Sequence, residues 1–427
     1  GLGFSLHSEI VAPYLLKYGT EQQKQNYLPR MARGEISLSA GFGRLYNGAV
    51  TKVRDDSLDV FRGATVAAMI LVNNPGTWAH LYAPLAHADW HGWTLTDLVF
   101  PFFLFAVGNA LALTTSASQK VSDAEFRRRW LQRTLLIFGI GLLLNAWPRV
   151  LWGDIDALRV MGVLQRIALC WAIAALVSRA GGVRAALGTA VVLLVGYWLA
   201  CIAWGRGADP YSLEGFFGTH LDRWVLGETH LYRGEGVPFD PEGLGSTLPA
   251  VAQVLLGYVV AAYWLPRRET SGATLQWVGL GAALVVLGLV GSLIMPINKK
   301  IWTSTYVLLT TGLATITLVA TWQLLRQHAA SRGTPSGCVR RGFTAFGRNA
   351  LLIFALSGLI PRTLALIRIE EADSTQSIGL LPWTYAEFFS PSFTDPRMSS
   401  LAYALATLAV YWFIAAALHR RGWYFKA

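Results

Sequence analysis

From residue 57 onward, apolar runs of near twenty residues recur along the whole of this chain. A run of that length is what an α-helix needs to cross the roughly 30 Å hydrocarbon core of a bilayer. Inside that core each backbone N–H and C=O must find its partner within protein, which leaves helices or closed barrels. Ten runs are expected to be helical spans: 57–72, 94–115, 130–147, 160–177, 185–204, 246–265, 275–295, 301–325, 343–366 and 401–418. The first and fourth are the weakest, because Arg62 and Arg166 lie within them. The chain has 427 residues, 53% hydrophobic and 14% charged, against about 25% charged in average soluble domains. A soluble globular enzyme and a disordered chain are both excluded on that ground. The fold class expected is all-α, a polytopic membrane helical bundle of about 10 transmembrane helices, with residues 52–427 as one domain.

The formal net charge is +11. In a soluble protein that excess suggests nucleic acid. In a membrane protein basic residues collect in cytoplasmic loops. With ten spans, Lys120, Arg127, Arg128, Arg129, Arg179, Arg184, Arg267, Arg268, Arg326, Arg332, Arg340, Arg341, Arg420, Arg421 and Lys426 fall on one side. That side is expected to be cytoplasmic, together with both ends of the bundle, and no nucleic-acid partner is expected. Cys170, Cys201 and Cys338 are too few for a disulfide framework.

Ionisable residues inside spans are costly and point to function unless paired. Asp59 and Arg62 lie three apart on one helix face, which suits a structural pair or snorkelling. Asp97 precedes the run 98–105 as an N-cap or a site residue. Arg166 needs a carboxylate, carbonyls or a ligand phosphate, and Arg348 suits snorkelling or phosphate contact. The first outer loop is the richest. It contains Asn73-Asn74-Pro75-Gly76, then His80, then His87-Ala-Asp-Trp-His91. Histidine can move protons near neutral pH. His87 and His91 at i, i+4 also allow zinc, but no nearby Cys and no His-Glu-x-x-His pattern supports it.

Seven blocks carry a resemblance. They are Ser57-Leu-Asp-Val-Phe-Arg-Gly63 with Ile70-Leu-Val-Asn-Asn74, His87-Ala-Asp-Trp-His-Gly92, Thr96-Asp-Leu-Val-Phe-Pro-Phe-Phe103, Gly162-Val-Leu-Gln-Arg166, His230-Leu-Tyr232, Asp240-Pro-Glu-Gly243 and Ile297-Asn-Lys-Lys-Ile-Trp302. In this order they resemble the heparan-α-glucosaminide N-acetyltransferase family, in its short bacterial-type form. The resemblance implies a multispan enzyme that takes acetyl from cytosolic acetyl-CoA and delivers it to a glucosamine amine. It also implies His87 as the active-site histidine and Asn73 as the site asparagine. The family's lysosomal form has a second histidine where Ser357 stands here, so no role passes to that position. Localisation in a bacterial inner membrane follows from the same likeness.

Residues 1–51 are different. Gly1-Leu-Gly-Phe-Ser-Leu-His-Ser-Glu-Ile-Val-Ala-Pro-Tyr14, Tyr18-Gly-Thr-Glu-Gln-Gln-Lys24 and Leu28-Pro-Arg-Met-Ala-Arg-Gly-Glu35 resemble acyl-CoA dehydrogenases. The likeness stops near Glu35, and about 35 residues cannot build that fold. A fusion or gene-model scar is expected, with no dehydrogenase activity and no FAD. The Gly1 start suggests a fragment or a processed chain.

Amine acetylation needs an amine freed of its proton, a stabilised oxyanion and a departing thiolate. His87 suits the first task as general base, in a ternary complex, or it attacks the thioester itself. Asn73 is the amide donor candidate. Arg166 and Arg348 are the candidates for coenzyme A phosphates. Asp97, Asp240, Glu242 and Trp90 are the candidates for the sugar, with a loop turn and an interfacial aromatic belt as the plain alternatives for the last three. The partners expected are acetyl-CoA, an amino sugar or glycan acceptor and the lipid bilayer, with a homodimer as the oligomer considered. An amino-sugar transporter, or an O-acyltransferase on a cell-envelope glycan, is the alternative function.

Overall fold

The computed structural model describes Glu21, Lys24 and Gln25 and, from Asp56, all residues except 119–120, 154, 328–334, 371–376 and 426–427; for 116–118, 335, 336 and 338 it describes the backbone alone. The dehydrogenase-like segment, apart from those three residues, and Lys120, Arg332 and Lys426 lie outside that set. The chain divides into two compact units, Gly1–Asp55 and Asp56–Ala427.

The second unit is a helical assembly. Its helices are α1 (Asp56–Asn73), α2 (Val99–Ser118), α3 (Asp123–Ala146), α4 (Val163–Trp204), α5 (Phe217–Leu226), α6 (Leu244–Trp264), α7 (Ala273–Gly291), α8 (Ser304–Gln327), α9 (Pro335–Arg348), α10 (Ala350–Leu364), α11 (Leu380–Thr384) and α12 (Pro396–Arg420). The antiparallel pair β1 (Arg368–Glu370) and β2 (Ser377–Gly379) precedes α11. Capping follows the sequence. Ser122 accepts the Glu125 amide at the start of α3, and Asp395 accepts the Arg397 amide at the start of α12.

Six of these helices are long and apolar enough to cross a membrane, or seven if the bent pair α9–α10 counts as one span. The expected figure of about ten is therefore not established, although helix covers most of every predicted run. The shortfall has physical reasons. α1 holds Asp56, Asp59 and Arg62 within 18 residues, and α3 opens on a charged stretch. α4 counts once although it has 42 residues. At 1.5 Å per residue it would extend about 63 Å, twice a hydrocarbon core. It breaks at Gly182, whose φ of 59° glycine adopts readily. Arg179 and Arg184 flank that break.

α6 packs along both α4 and α2, α7 along α8, and α9 along α1. Large apolar side chains cover much of the outer surface, among them Leu293, Phe413 and Val192 at 87%, 74% and 68% exposure. In water such a surface would be a liability; in lipid it is solvated.

Close helix crossings bring backbones into contact. A Cβ on Gly108 would lie 2.0 Å from the Val254 carbonyl oxygen, and one on Gly257 would lie 2.4 Å from that of Phe105. At the α1–α9 crossing a Cβ on Gly63 would meet the Phe343 oxygen at 1.8 Å, and one on Gly347 the Asp59 oxygen at 1.9 Å. Small residues at membrane helix crossings permit this approach. Arg62 bridges the crossing, from Nε to the Gly347 oxygen and from Nη2 to Asp59 Oδ1, both 2.7 Å. Gly347→Val should cost about 1–3 kcal/mol or more of stability, because the obstacle is backbone. A lowered thermal midpoint in detergent, against an unchanged one for exposed Leu293→Val, checks this.

Candidate active site

α1 ends where Asn74-Pro75-Gly76 interrupts it. The Asn74 side chain donates to the Ile70 oxygen at 2.8 Å, and Pro75 cannot continue a helix. The chain then runs through residues 75–95 as a loop with one short turn, Ala83–Leu85. Gly92, at φ 99°, donates its N–H to the Ile297 oxygen at 2.8 Å, and the Thr94 hydroxyl donates to the Ala86 oxygen at 2.6 Å. These ties hold His87 against the start of α2.

His87 Nδ1 lies 2.6 Å from Asp97 Oδ1. The histidine side chain is 40% exposed and that of Asp97 only 1%. Asp97 Oδ2 accepts the Ala88 amide at 3.1 Å and the Thr94 amide at 3.0 Å, with Thr94 Oγ1 3.2 Å away. The Tyr306 hydroxyl donates to the Asp97 carbonyl oxygen. A carboxylate held by that many donors is acceptor-only. The geometry therefore favours the imidazole tautomer with hydrogen on Nδ1 and the lone pair on Nε2. Asp97, the N-cap or substrate candidate of the sequence, has its carboxylate oxygens against protein groups, His87 among them.

Lys299 completes the group and was given no role from sequence. Its Nζ lies 3.0 Å from His87 Nδ1 and 3.3 Å from Asp97 Oδ1. Burial pushes its pKa down, and the Asp97 carboxylate opposes that. The adjacent Lys300 points elsewhere, to the Asp89 oxygen at 2.7 Å and Glu235 Oε2 at 2.6 Å. Two lysines in a short link between long apolar runs were the available signal.

A second ionic group stands beside the first. Arg159 meets Asp240 through Nε at 2.8 Å and Nη2 at 2.6 Å, and Glu242 at 2.6 Å. These carboxylates hold the Arg159 guanidinium well above its usual range despite burial. Asp240, 1% exposed, is thus enclosed by protein rather than presented to a sugar; Glu242 stays partly exposed. Nearby, burial pushes the Asp222 carboxyl up to about 7, against the pull of two α6 amides. Arg166 has no exposure. Its Nη2 donates to the Gly243 oxygen at 3.1 Å and to Ser246 Oγ, and its guanidinium lies 5.2 Å from the Trp302 ring centre.

Asn73, at the exposed end of α1, lines a cavity of about 320 Å³ with Asn145, Arg159, Gln165, Ser357 and Arg362. His87 is not among its walls, and among the described residues no hydrogen bond joins Asn73 to His87. Trp90 donates from Nε1 to the Tyr211 oxygen at 2.9 Å. Its ring is 5.7 Å from Phe239 and 5.7 Å from the Lys300 ammonium, so protein groups already pack against it. Arg348 lies apart from His87, with Nη1 2.9 Å from the Tyr424 hydroxyl and Nε 3.9 Å from Asp59. Among the described residues no group of three or more His, Cys, Asp or Glu is placed to hold a metal ion.

A family model described as heparan-alpha-glucosaminide N-acetyltransferase, catalytic, matches residues 54–297, more than half of the chain. The heparan-alpha-glucosaminide N-acetyltransferase of Homo sapiens is 24% identical over 358 residues, 70% of this chain and 52% of that protein. That of Mus musculus is 24% identical over 355 residues with the same coverage. The chain spans about half the length of these curated relatives. A second model, acyl-CoA dehydrogenase, N-terminal domain, matches residues 1–35. The mitochondrial long-chain specific acyl-CoA dehydrogenase of Sus scrofa is 38% identical over 72 residues, 16% of this chain and 17% of that protein.

Proposed function

The chain belongs to the heparan-alpha-glucosaminide N-acetyltransferase catalytic family, and from that premise we propose that it is a membrane acetyltransferase with His87 as general base. Acetyl passes from acetyl-CoA to the amine of a glucosamine-type sugar. The observation that carries this reading is the 2.6 Å contact of His87 Nδ1 with an Asp97 carboxylate whose other oxygen accepts two backbone amides. It fixes one edge of the imidazole and leaves Nε2 for chemistry, as in other histidine–aspartate pairs.

The amine nitrogen attacks the thioester carbonyl carbon while Nε2 takes its proton. The tetrahedral intermediate then expels coenzyme A as the C–S bond breaks, and the imidazolium returns the proton to the departing sulfur. Asn73 supplies an amide donor to the acceptor or the oxyanion once substrate bridges its cavity and His87; such a donor is typically worth about 10²–10³ in rate. Glu242 contacts the sugar from the Arg159 cluster, and Trp90 shapes the wall beside it. Of the two arginines expected to meet coenzyme A, we retain Arg348, on the basic side.

The bundle has ten spans in this reading, with the α4 halves separate and both ends cytoplasmic, in a bacterial inner membrane. The basic residues at the Gly182 break and at the ends of α8 and α12 support that orientation. Residues 1–51 take no part in the chemistry, and FAD is not required.

The test uses purified full-length protein in liposomes with acetyl-CoA and glucosamine. Thiol release should depend on glucosamine, and mass spectrometry should find N-acetylglucosamine. An ester product would replace this reading with O-transfer. Sugar uptake without acetyl-CoA would replace it with transport.

A further inference from the structure

We propose that Lys299 is a positioning residue that acts through the His87–Asp97 pair, holding the resting imidazole neutral so that Nε2 is available as a base. The inference rests on the acetyltransferase reading above. Its physical content is a competition at one nitrogen. Asp97 Oδ1, an acceptor, stands 2.6 Å from His87 Nδ1, and Lys299 Nζ stands 3.0 Å from the same atom. An ammonium only donates. Hydrogen on Nδ1 satisfies Asp97, and Lys299 then pairs with the carboxylate at 3.3 Å. The doubly protonated ring would place two cations in contact. Asp97 alone would favour that imidazolium, and Lys299 opposes it.

Lys299 is held in place rather than free to leave. The link 296–303 closes on itself: the Asn298 amide donates to Thr303 Oγ1 at 3.0 Å, the Thr303 amide to the Asn298 oxygen at 3.0 Å, and the Ile301 amide to Asn298 Oδ1 at 3.1 Å. Trp302 follows at φ 54°, a costly conformation for a bulky residue. It is clamped by Phe100 and Tyr306 at ring-centre distances of 5.1 and 5.3 Å. The Gly92–Ile297 hydrogen bond ties this link to the His87 loop itself. Backbone strain confined by packing beside a charged side chain is the usual sign of a site that must be held.

The other ionisable groups around the pair are accounted for. From the His87 loop come Asp89 and His91, the latter 3.3 Å from the Asn298 amide. From the link comes Lys300, engaged by Glu235. From the long outer loop Glu242 acts on Lys299 at longer range and is paired to Arg159. From α8 the Tyr306 hydroxyl is bound to the Asp97 carbonyl oxygen. Lys299 is therefore the one cation in direct contact with His87 among the described residues.

Lys299→Met removes the charge and keeps the length; Lys299→Arg keeps the charge; Lys299→Gln is a second neutral variant should the first fold poorly. With Lys299 gone, Asp97 acts on the imidazole unopposed. An opposite charge in contact typically shifts a pKa by about 1–3 units. The acid limb of kcat/KM should therefore move up by about one unit or more in Met and Gln variants, so that activity on the acid side of the limb falls about tenfold more than activity above it. The Arg variant should follow wild type. Nitrogen-15 resonances of labelled histidine, assigned by their loss in His87→Gln, should show the same upward shift in nanodiscs without substrate. A uniform loss of rate at every pH with unmoved His87 resonances overturns the proposal. Absence of acetyl transfer in wild type overturns the functional reading instead, and the resonance titration still decides the role of Lys299.

Discussion

Asp97→Asn is expected to lower acetyl transfer by about 10³–10⁴-fold while leaving the fold intact, a loss of the size known for the same change in a serine-protease triad. The reason lies in the donors around the carboxylate. Oδ2 accepts from the Ala88 and Thr94 amides. An NH₂ group at that position would face two backbone donors, so the asparagine oxygen must take it. Its NH₂ then occupies the Oδ1 position and donates to His87 Nδ1. That bond requires a lone pair on Nδ1 and moves the hydrogen to Nε2, where the base is needed. The loss should appear in kcat at saturating glucosamine, with an unchanged helical circular dichroism spectrum. A loss of tenfold or less would mean that the pair does not set the tautomer.

His87→Ala should lower kcat by about 10²–10⁴, the range that a positioned base supplies. The side chain is 40% exposed, so its removal leaves no enclosed cavity and little stability is lost. Free imidazole should restore part of the rate, because the space opened beside Asp97 is accessible. Direct transfer also predicts that wild type incubated with labelled acetyl-CoA alone retains no label on His87 after gel filtration. An acetyl-imidazole would need shielding from water that a side chain this exposed does not have. Retained label that moves to added glucosamine would assign the covalent route.

What could be seen in the sequence was whatever is written in local pattern. Apolar runs near twenty residues marked the helices, because lipid imposes length and composition together. The i, i+3 spacing of Asp59 and Arg62 predicted their contact, which exists at 2.7 Å. The histidine-rich loop was visible as a polar cluster between spans. The span count was less secure, since α1 and α3 carry charge within them and α4 merges two runs across Gly182. Partners across the fold were not legible. Asp97 reads equally as cap or site from its neighbours, and only the approach of His87, ten residues earlier, distinguishes them. Lys299 is 212 positions from His87, and no periodicity connects them. Asp240 and Glu242 looked like an acidic face for a cationic sugar; Arg159, 81 and 83 positions away, already neutralises much of that charge. Arg166 looked like a phosphate ligand because a lone arginine in an apolar run demands a partner. Carbonyl, hydroxyl and indole groups from distant segments meet that demand in part.

The most direct test of the central claim compares wild type and His87→Ala in proteoliposomes supplied with acetyl-CoA and glucosamine, with N-acetylglucosamine counted by mass spectrometry over time. Wild type should form glucosamine-dependent product matched by CoA release, and His87→Ala should form it at least about a hundredfold more slowly. Equal rates from the two proteins would contradict that claim.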